Sequence, residues 1–166
     1  MGSHLRKPGK AVAGLTVRES HLEDICLFAN RLRVQDEAEI FAAGRTVGES
    51  LAEGFEGRSC YTAFIHNKPA AIFGLFDTAS DENGFTAGTI WMLGTDVIEE
   101  HPKTFLRAMK RWLPLVCEDC DVVANQVHVQ NSIHIRFLSH LGFTLCYEDL
   151  TDDFIPFFGK VSDVCA

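Results

Sequence analysis

Two rhythms of apolar positions run along the chain, and they assign its elements. Alternation marks strands, and recurrence every three or four residues marks helices. Leu15–Arg18 alternates and predicts a short strand. A helix follows, opening at Ser20 or His21, with Leu22, Ile25, Leu27 and Phe28 apolar. A second helical stretch covers Gln35 to Ala43. Thr46 and Glu49 have the spacing of a capping box, in which each side chain accepts from the other's backbone N–H. The helix they open is expected to end near Glu53, ahead of Gly54.

Cys60–Ile65 and Ala70–Phe76 predict two strands, with a tight hairpin at Asn67–Lys68–Pro69. Gly74 inside the second strand signals a close backbone approach or a bulge. Asp77–Gly88 is polar and predicts an exposed loop, and Thr89–Leu93 completes a meander. These runs are apolar on both parities in places, which fits a sheet covered on both faces.

Pro102 suits the first turn of the next helix, where its missing N–H costs nothing. Phe105, Met109, Trp112 and Val116 then recur at helical spacing, widened by Leu106 and Leu113 into a core-facing stripe. Pro114 is expected to kink or end that helix. Val122–His128 is the next strand. A polar loop, Gln130–Asn131–Ser132, leads into a short helix from Ser132 to Leu141. Asn131 or Ser132 caps it, and Gly142 suits the left-handed turn that closes it. Phe143–Tyr147 and Phe154–Phe158 predict a closing hairpin. The fold class is α+β, with a central mixed, mostly antiparallel sheet flanked by helices on both faces.

Composition changes this picture little. With 166 residues, 46% apolar and 23% charged, the chain fits one domain with one core. That domain is expected over residues 12–163, behind a tail at 1–11 that holds a tag-like MGSH and a basic RKPGK. No apolar run approaches the roughly 20 residues of a membrane span, and no signal-type segment opens the chain. The expectation is a soluble, intracellular protein. A net charge of −8 speaks against nucleic acid, which needs clustered Lys and Arg.

Of six cysteines only Cys117 and Cys120 form a C-x-x-C. A structural zinc site needs a second such pair, and a redox pair needs a helix start, so neither role is expected and no metal is assigned. No serine stands in a G-x-S-x-G context, which argues against a serine hydrolase.

Asn131–Phe143, an Asn followed by an amphipathic helix and Leu-Gly-Phe, resembles the last helix of the GNAT family of N-acyltransferases. Thr89–Asp96 (TIWMLGTD), followed by a helix around Phe105–Trp112, is similar to the GNAT-like internal virion protein A family of short-tailed bacteriophages. The GNAT-like order of elements spans Gly14 to Phe158, but its residue-specific part is Asn131–Phe143.

The resemblance implies that acyl-CoA, here acetyl-CoA, lies in a gap between the strands Thr89–Leu93 and Val122–His128. Leu93, Gly94, Lys103, Thr104 and Asn131 are the cofactor-binding residues it implies. Free N–H groups and the positive end of a helix hold the phosphates of such a ligand. The loop Gly94–Thr104 (GTDVIEEHPKT) departs from the family's glycine-rich form. Pro102 removes a donor, and Glu99 and Glu100, read as first-turn residues of the long helix, add negative charge. Lys103 and Thr104 are left to meet a phosphate.

A second departure lies in the last helix. His134 and Leu138 stand where the family often carries a small residue and a proton-donating Tyr. His134 falls on the helix's apolar face between Leu141 and Leu138. A histidine there is a satisfied core residue or, because imidazole titrates near neutrality, the catalytic acid or base. Tyr61 and Tyr147 are the only phenols left to replace the missing acid. As an enzyme the chain would act on a small amine or a lysine, which suits its negative charge. The alternative is a phage or prophage virion or assembly protein without catalysis, with protein partners, in the bacterial host cytoplasm or the virion.

Overall fold

The computed structural model describes residues 12–164. The tail expected at 1–11 lies outside the described residues. The chain runs β1 (Leu15–Glu19), α1 (Leu22–Phe28), α2 (Val34–Ala42), α3 (Val47–Glu56), β2 (Ser59–Ile65), β3 (Lys68–Ser80) and β4 (Thr86–Gly94). It continues with α4 (Val97–Glu100), α5 (Pro102–Val116), β5 (Val122–His128), α6 (Ser132–His140), β6 (Thr144–Leu145) and β7 (Phe154–Lys160). The strands form one sheet in the order β1-β2-β3-β4-β5-β7-β6. Every neighbouring pair is antiparallel except β4 and β5. This is the α+β class expected.

Each face of the sheet has its own core. On one face Phe105, Ala108, Met109, Leu113 and Val116 of α5 pack with Tyr61, Phe73, Leu75 and Ile90. On the other, Phe28, Ile40 and Leu51 of α1–α3 pack with Ile72 and Trp91. Phe105 stacks on Phe137 with ring centroids 5.3 Å apart, so α6 leans on α5. The sheet is covered on both faces, which explains why β3 from Ala70 to Phe76 and β4 from Ile90 to Leu93 are apolar on both parities.

Several boundaries moved from their expected places. The β2–β3 turn is His66–Asn67, both at positive φ, a two-residue hairpin turn whose twist matches the strands. Lys68 and Pro69 belong to β3. The polar stretch after Phe76 is strand as far as Ser80, because Thr78–Ser80 pair with Thr86–Gly88; only Asp81–Phe85 loops out. Helix α3 runs through Gly54 to Glu56. A Cβ on Gly54 would stand 2.4 Å from the Trp91 ring, so this glycine is there for close approach and does not end the helix. Gly74 is also a close approach, with its missing Cβ 1.9 Å from the Ser59 carbonyl oxygen. Glu99 and Glu100 sit on the separate one-turn α4, and Pro102 opens α5 behind them. Helix α5 continues past Pro114 to Val116.

Candidate active site

Strands β4 and β5 are paired over three residues each, Ala87–Thr89 with Val122–Ala124. Beyond Thr89 they part. The Asn125 side-chain amide bridges the fork by donating to the Ile90 carbonyl at 2.6 Å. In a strand, successive residues turn their N–H and C=O to opposite sides. The Ile90 carbonyl faces the gap. Gly94 does too, since its N–H donates to Asp36 and its carbonyl accepts from the Arg33 amide, both of which reach in from the far side of the gap. Met92 lies between them on the same parity, so its backbone N–H also faces the gap.

Helix α2 and Arg33, the residue just before it, supply the charge around this fork. Arg33 and Asp36 are 2% and 3% exposed and form a forked pair, with Nε to Oδ2 at 3.1 Å and Nη2 to Oδ1 at 2.9 Å. Asp36 Oδ2 also accepts from the Gly94 amide at 2.8 Å. Each group is compensated, as two charges removed from water must be. One turn on, Glu39 accepts from the Asn131 side chain at 2.8 Å. Its pKa is pushed up to about 7, first by burial and further by the charge of Asp36, against the hydrogen bond from Asn131. Glu39 forms no ion pair among the described residues.

Asn131 ties α6 to α2. Its side-chain oxygen caps α6 by accepting from the His134 amide at 3.3 Å, and its nitrogen donates to Glu39 and Asp36. His134 is buried beside them. Burial pushes its pKa down to about 4, so the neutral imidazole prevails at neutral pH.

Two cavities meet at the fork. The first, about 380 Å³, is lined by Glu39, Ile40, Arg45 and Ser50 from the α2–α3 side, by Trp91 and Leu93 of β4, and by His134 and Leu138 of α6. The second, about 400 Å³, opens at the start of α5 and is lined by Pro102, Lys103, Leu106, Arg136 and His140, with Glu99 at its edge. Met92 and Phe137 line both, so the two spaces abut where β4 and β5 separate. Lys103 and Thr104 follow Pro102 in the first turn of α5, where backbone amides have no partner inside the helix.

The residues singled out from the sequence fall as follows. Leu93 and His134 line the first cavity and Lys103 the second. Gly94 and Asn131 stand behind the wall, held by Asp36 and Glu39. Thr104 lines neither cavity, although its amide lies in the first turn of α5. Neither Tyr61, buried in the core, nor Tyr147, 59% exposed, lines a cavity, and Leu138 faces the gap where a phenol was sought. No cluster of metal-ligating side chains occurs among the described residues. No helix among them is long and apolar enough to cross a membrane.

Arg33, Asp36, Glu39, Met92 and Arg136 were not anticipated. The one local signal was the i, i+3 spacing of Arg33 and Asp36, which allows an ion pair on one helical face.

A meander joined to a second set of strands through a short parallel pair that splays, with a helix starting at the splay, defines a GNAT-like fold. Solved structures of GNAT acetyltransferases share it. The spermidine N-acetyltransferase of Vibrio cholerae, in complex with CoA and spermine, superposes with a TM-score of 0.65 at 14% identity, covering 91% of this chain and 98% of that one. An aminoglycoside N(6')acetyltransferase from Legionella pneumophila gives 0.63 at 11% identity, over 90% and 94%. The yncA protein of Salmonella typhimurium, with its cofactor acetyl-CoA, gives 0.60 at 12% identity, over 92% and 97%. No protein-family model and no curated protein sequence matches the chain.

Proposed function

We propose that the chain is an N-acyltransferase that moves an acetyl group from acetyl-CoA to an amine. The observation that carries this reading is the fork. A β4 amide, that of Met92, points into a gap where two cavities meet, and Glu39 stands on one side with a pKa near neutrality. The residues present fit the cofactor. Lys103, Arg136 and the orphan amides of α5 suit its phosphates, with Glu99 as the one opposing charge, and Leu106 and Phe137 suit its apolar arm.

Acetyl-CoA bound there supplies a thioester whose C–S bond breaks as the C–N bond forms. Glu39 takes the proton that the ammonium must shed before its nitrogen has a lone pair. A carboxylate with a pKa near 7 is matched to that task at neutral pH. The Met92 amide offers a fixed donor toward an oxygen that gains charge as the new bond forms. The second amine proton, lost when the amide forms, goes to the departing sulfur, since no phenol lines the gap. His134, the catalytic candidate from the sequence, serves in this reading as a neutral wall of the acceptor cavity.

A second reading keeps the fold and drops the chemistry, as in a phage or prophage assembly protein. The proline-bearing loop, the acidic α4 and Leu138 favour it. One experiment separates the two: unfolding temperature with acetyl-CoA, CoA and ATP, followed by thiol release with an amine panel. A ligand at 100 times its Kd adds about 2.7 kcal/mol of stability. A shift with acetyl-CoA and none with ATP is the expected result. No shift at millimolar acetyl-CoA overturns the transferase reading.

A further inference from the structure

Asn131 is 2% exposed and stands where β5, α6 and α2 meet. Its backbone N–H donates to the His128 carbonyl at 2.9 Å. Its Oδ1 accepts from the His134 amide at 3.3 Å and so caps α6. Its Nδ2 donates to Glu39 Oε2 at 2.8 Å and to Asp36 Oδ1 at 3.3 Å, on adjacent turns of α2. A side-chain amide has two N–H donors, and both are used. Turned over, the amide would set an N–H against the His134 N–H and an oxygen against two carboxyl groups. Its orientation is therefore fixed.

The two carboxyl groups do not depend on Asn131 equally. Asp36 has further donors in Arg33 and the Gly94 amide, at 2.8–3.1 Å. Glu39 takes its one side-chain hydrogen bond among the described residues from Asn131, helped by the His128 backbone amide. The charged groups around Glu39 are engaged elsewhere: Arg33 with Asp36, and Arg45, on the cavity lining, with Glu53. His134 is neutral at neutral pH, and the His128 ring accepts from the Gln130 amide and packs edge-on against Phe154. A free carboxyl group turns about its last carbon–carbon bond and exchanges its two oxygens. The bond from Asn131 to Oε2 stops that turn and leaves Oε1 for the cavity that Glu39 lines.

We infer that Asn131 is a positioning residue for the proton transfer: by holding Oε2 of Glu39 it presents Oε1 to the amine. This rests on the N-acyltransferase reading, in which Glu39 receives the amine's proton. Both N–H donors of Asn131 point to α2, so its side-chain nitrogen serves the base and not the cofactor. The same residue starts α6, so the base and the helix that lines the cavity are set by one side chain.

Asn131→Ser separates capping from positioning. Serine caps a helix about as well as asparagine, but it is too short to reach Glu39. The first readout needs no substrate: the Glu39 carboxyl is titrated by NMR in protein carrying isotope-labelled glutamate, its signal identified by its absence in Glu39→Gln. A donor to the ionised form lowers a carboxyl pKa, so losing it should move the Glu39 midpoint up by about one pH unit, a tenfold change in proton affinity. In turnover of an amine panel with acetyl-CoA, the inflection in kcat/KM should move up with it, and kcat at pH 7 should fall about tenfold while KM for acetyl-CoA stays the same. An unmoved midpoint, or a raised KM with kcat intact, overturns the inference. If the variant does not fold, the parent decides: the Asn131 side-chain N–H signals should titrate with the Glu39 midpoint, and signals that ignore it overturn the inference. A midpoint that moves in a protein that turns over no amine supports the hold on Oε2 and counts against the transferase reading.

Discussion

Glu39→Gln isolates the effect of one half-buried carboxyl. Glutamine keeps an oxygen for the Asn131 side chain and cannot ionise. In the folded chain the Glu39 pKa stands at about 7 against an ordinary 4.5. Below pH 4.5 the group is protonated whether the chain is folded or not, and it has no effect on stability. Between 4.5 and 7 the unfolded chain releases the proton and the folded chain keeps it, so stability falls as pH rises. Above 7 the loss is complete. At about 1.4 kcal/mol per tenfold change in proton affinity, the ceiling is about 3 kcal/mol. Glu39 retains some exposure, and solvent screening reduces this to about 1–2 kcal/mol. Urea unfolding, followed by tryptophan fluorescence at pH 4.5 and 8.5, reads the difference directly. The variant should match the parent at pH 4.5 and exceed it at pH 8.5. A difference that does not change with pH, or one that shrinks as pH rises, refutes the assignment of a neutralised Glu39. In the same pair of proteins, kcat/KM of the parent should rise through an inflection near pH 7, and the variant should lack that limb.

Three further outcomes follow from the structure. Arg33→Ala leaves Asp36 buried and without its cation, and should cost about 3–5 kcal/mol in chemical denaturation. Thr46→Ala removes the oxygen that accepts from the Glu49 amide at 3.2 Å and should cost about 1 kcal/mol, with a loss confined to the stability of α3 and its neighbours. Lys103→Ala combined with Arg136→Ala should raise KM for acetyl-CoA about tenfold, the equivalent of ~1.4 kcal/mol, with kcat nearly unchanged. An unaltered KM would remove the second cavity from the proposed phosphate site.

Local chemistry was legible in the sequence wherever a few adjacent residues decide the outcome. The Thr46–Glu49 box, the Asn131 cap, the positive φ of Gly142 and the opening of α5 at Pro102 are such cases. Helix α2 shows where that reading stops. Val34, Ala38 and Phe41 fall at i, i+4 and i+7 and form the natural inward stripe, yet all three are exposed. The helix instead turns Asp36 and Ile40 inward, with Glu39 half-buried beside them. Partners more than 50 residues away decide this orientation: the Gly94 amide and the Asn131 side chain need the carboxylates more than the core needs Val34. No window along the chain contains both halves of that exchange. The same is true of Trp91, whose environment depends on a glycine in α3.

The parallel seam between β4 and β5 is only three residue pairs long. Mechanically the sheet is two rigid plates, β1–β4 and β5–β7–β6, welded at one corner. The angle between the plates is set by what is wedged between them, which is Met92 and Phe137 on one side and the Asp36–Asn131 bond on the other. The width of the fork is thus a property of side chains and can be altered without touching the backbone ladder of either plate. The shape of the two cavities can change by substitution at those few positions while the fold stays as it is.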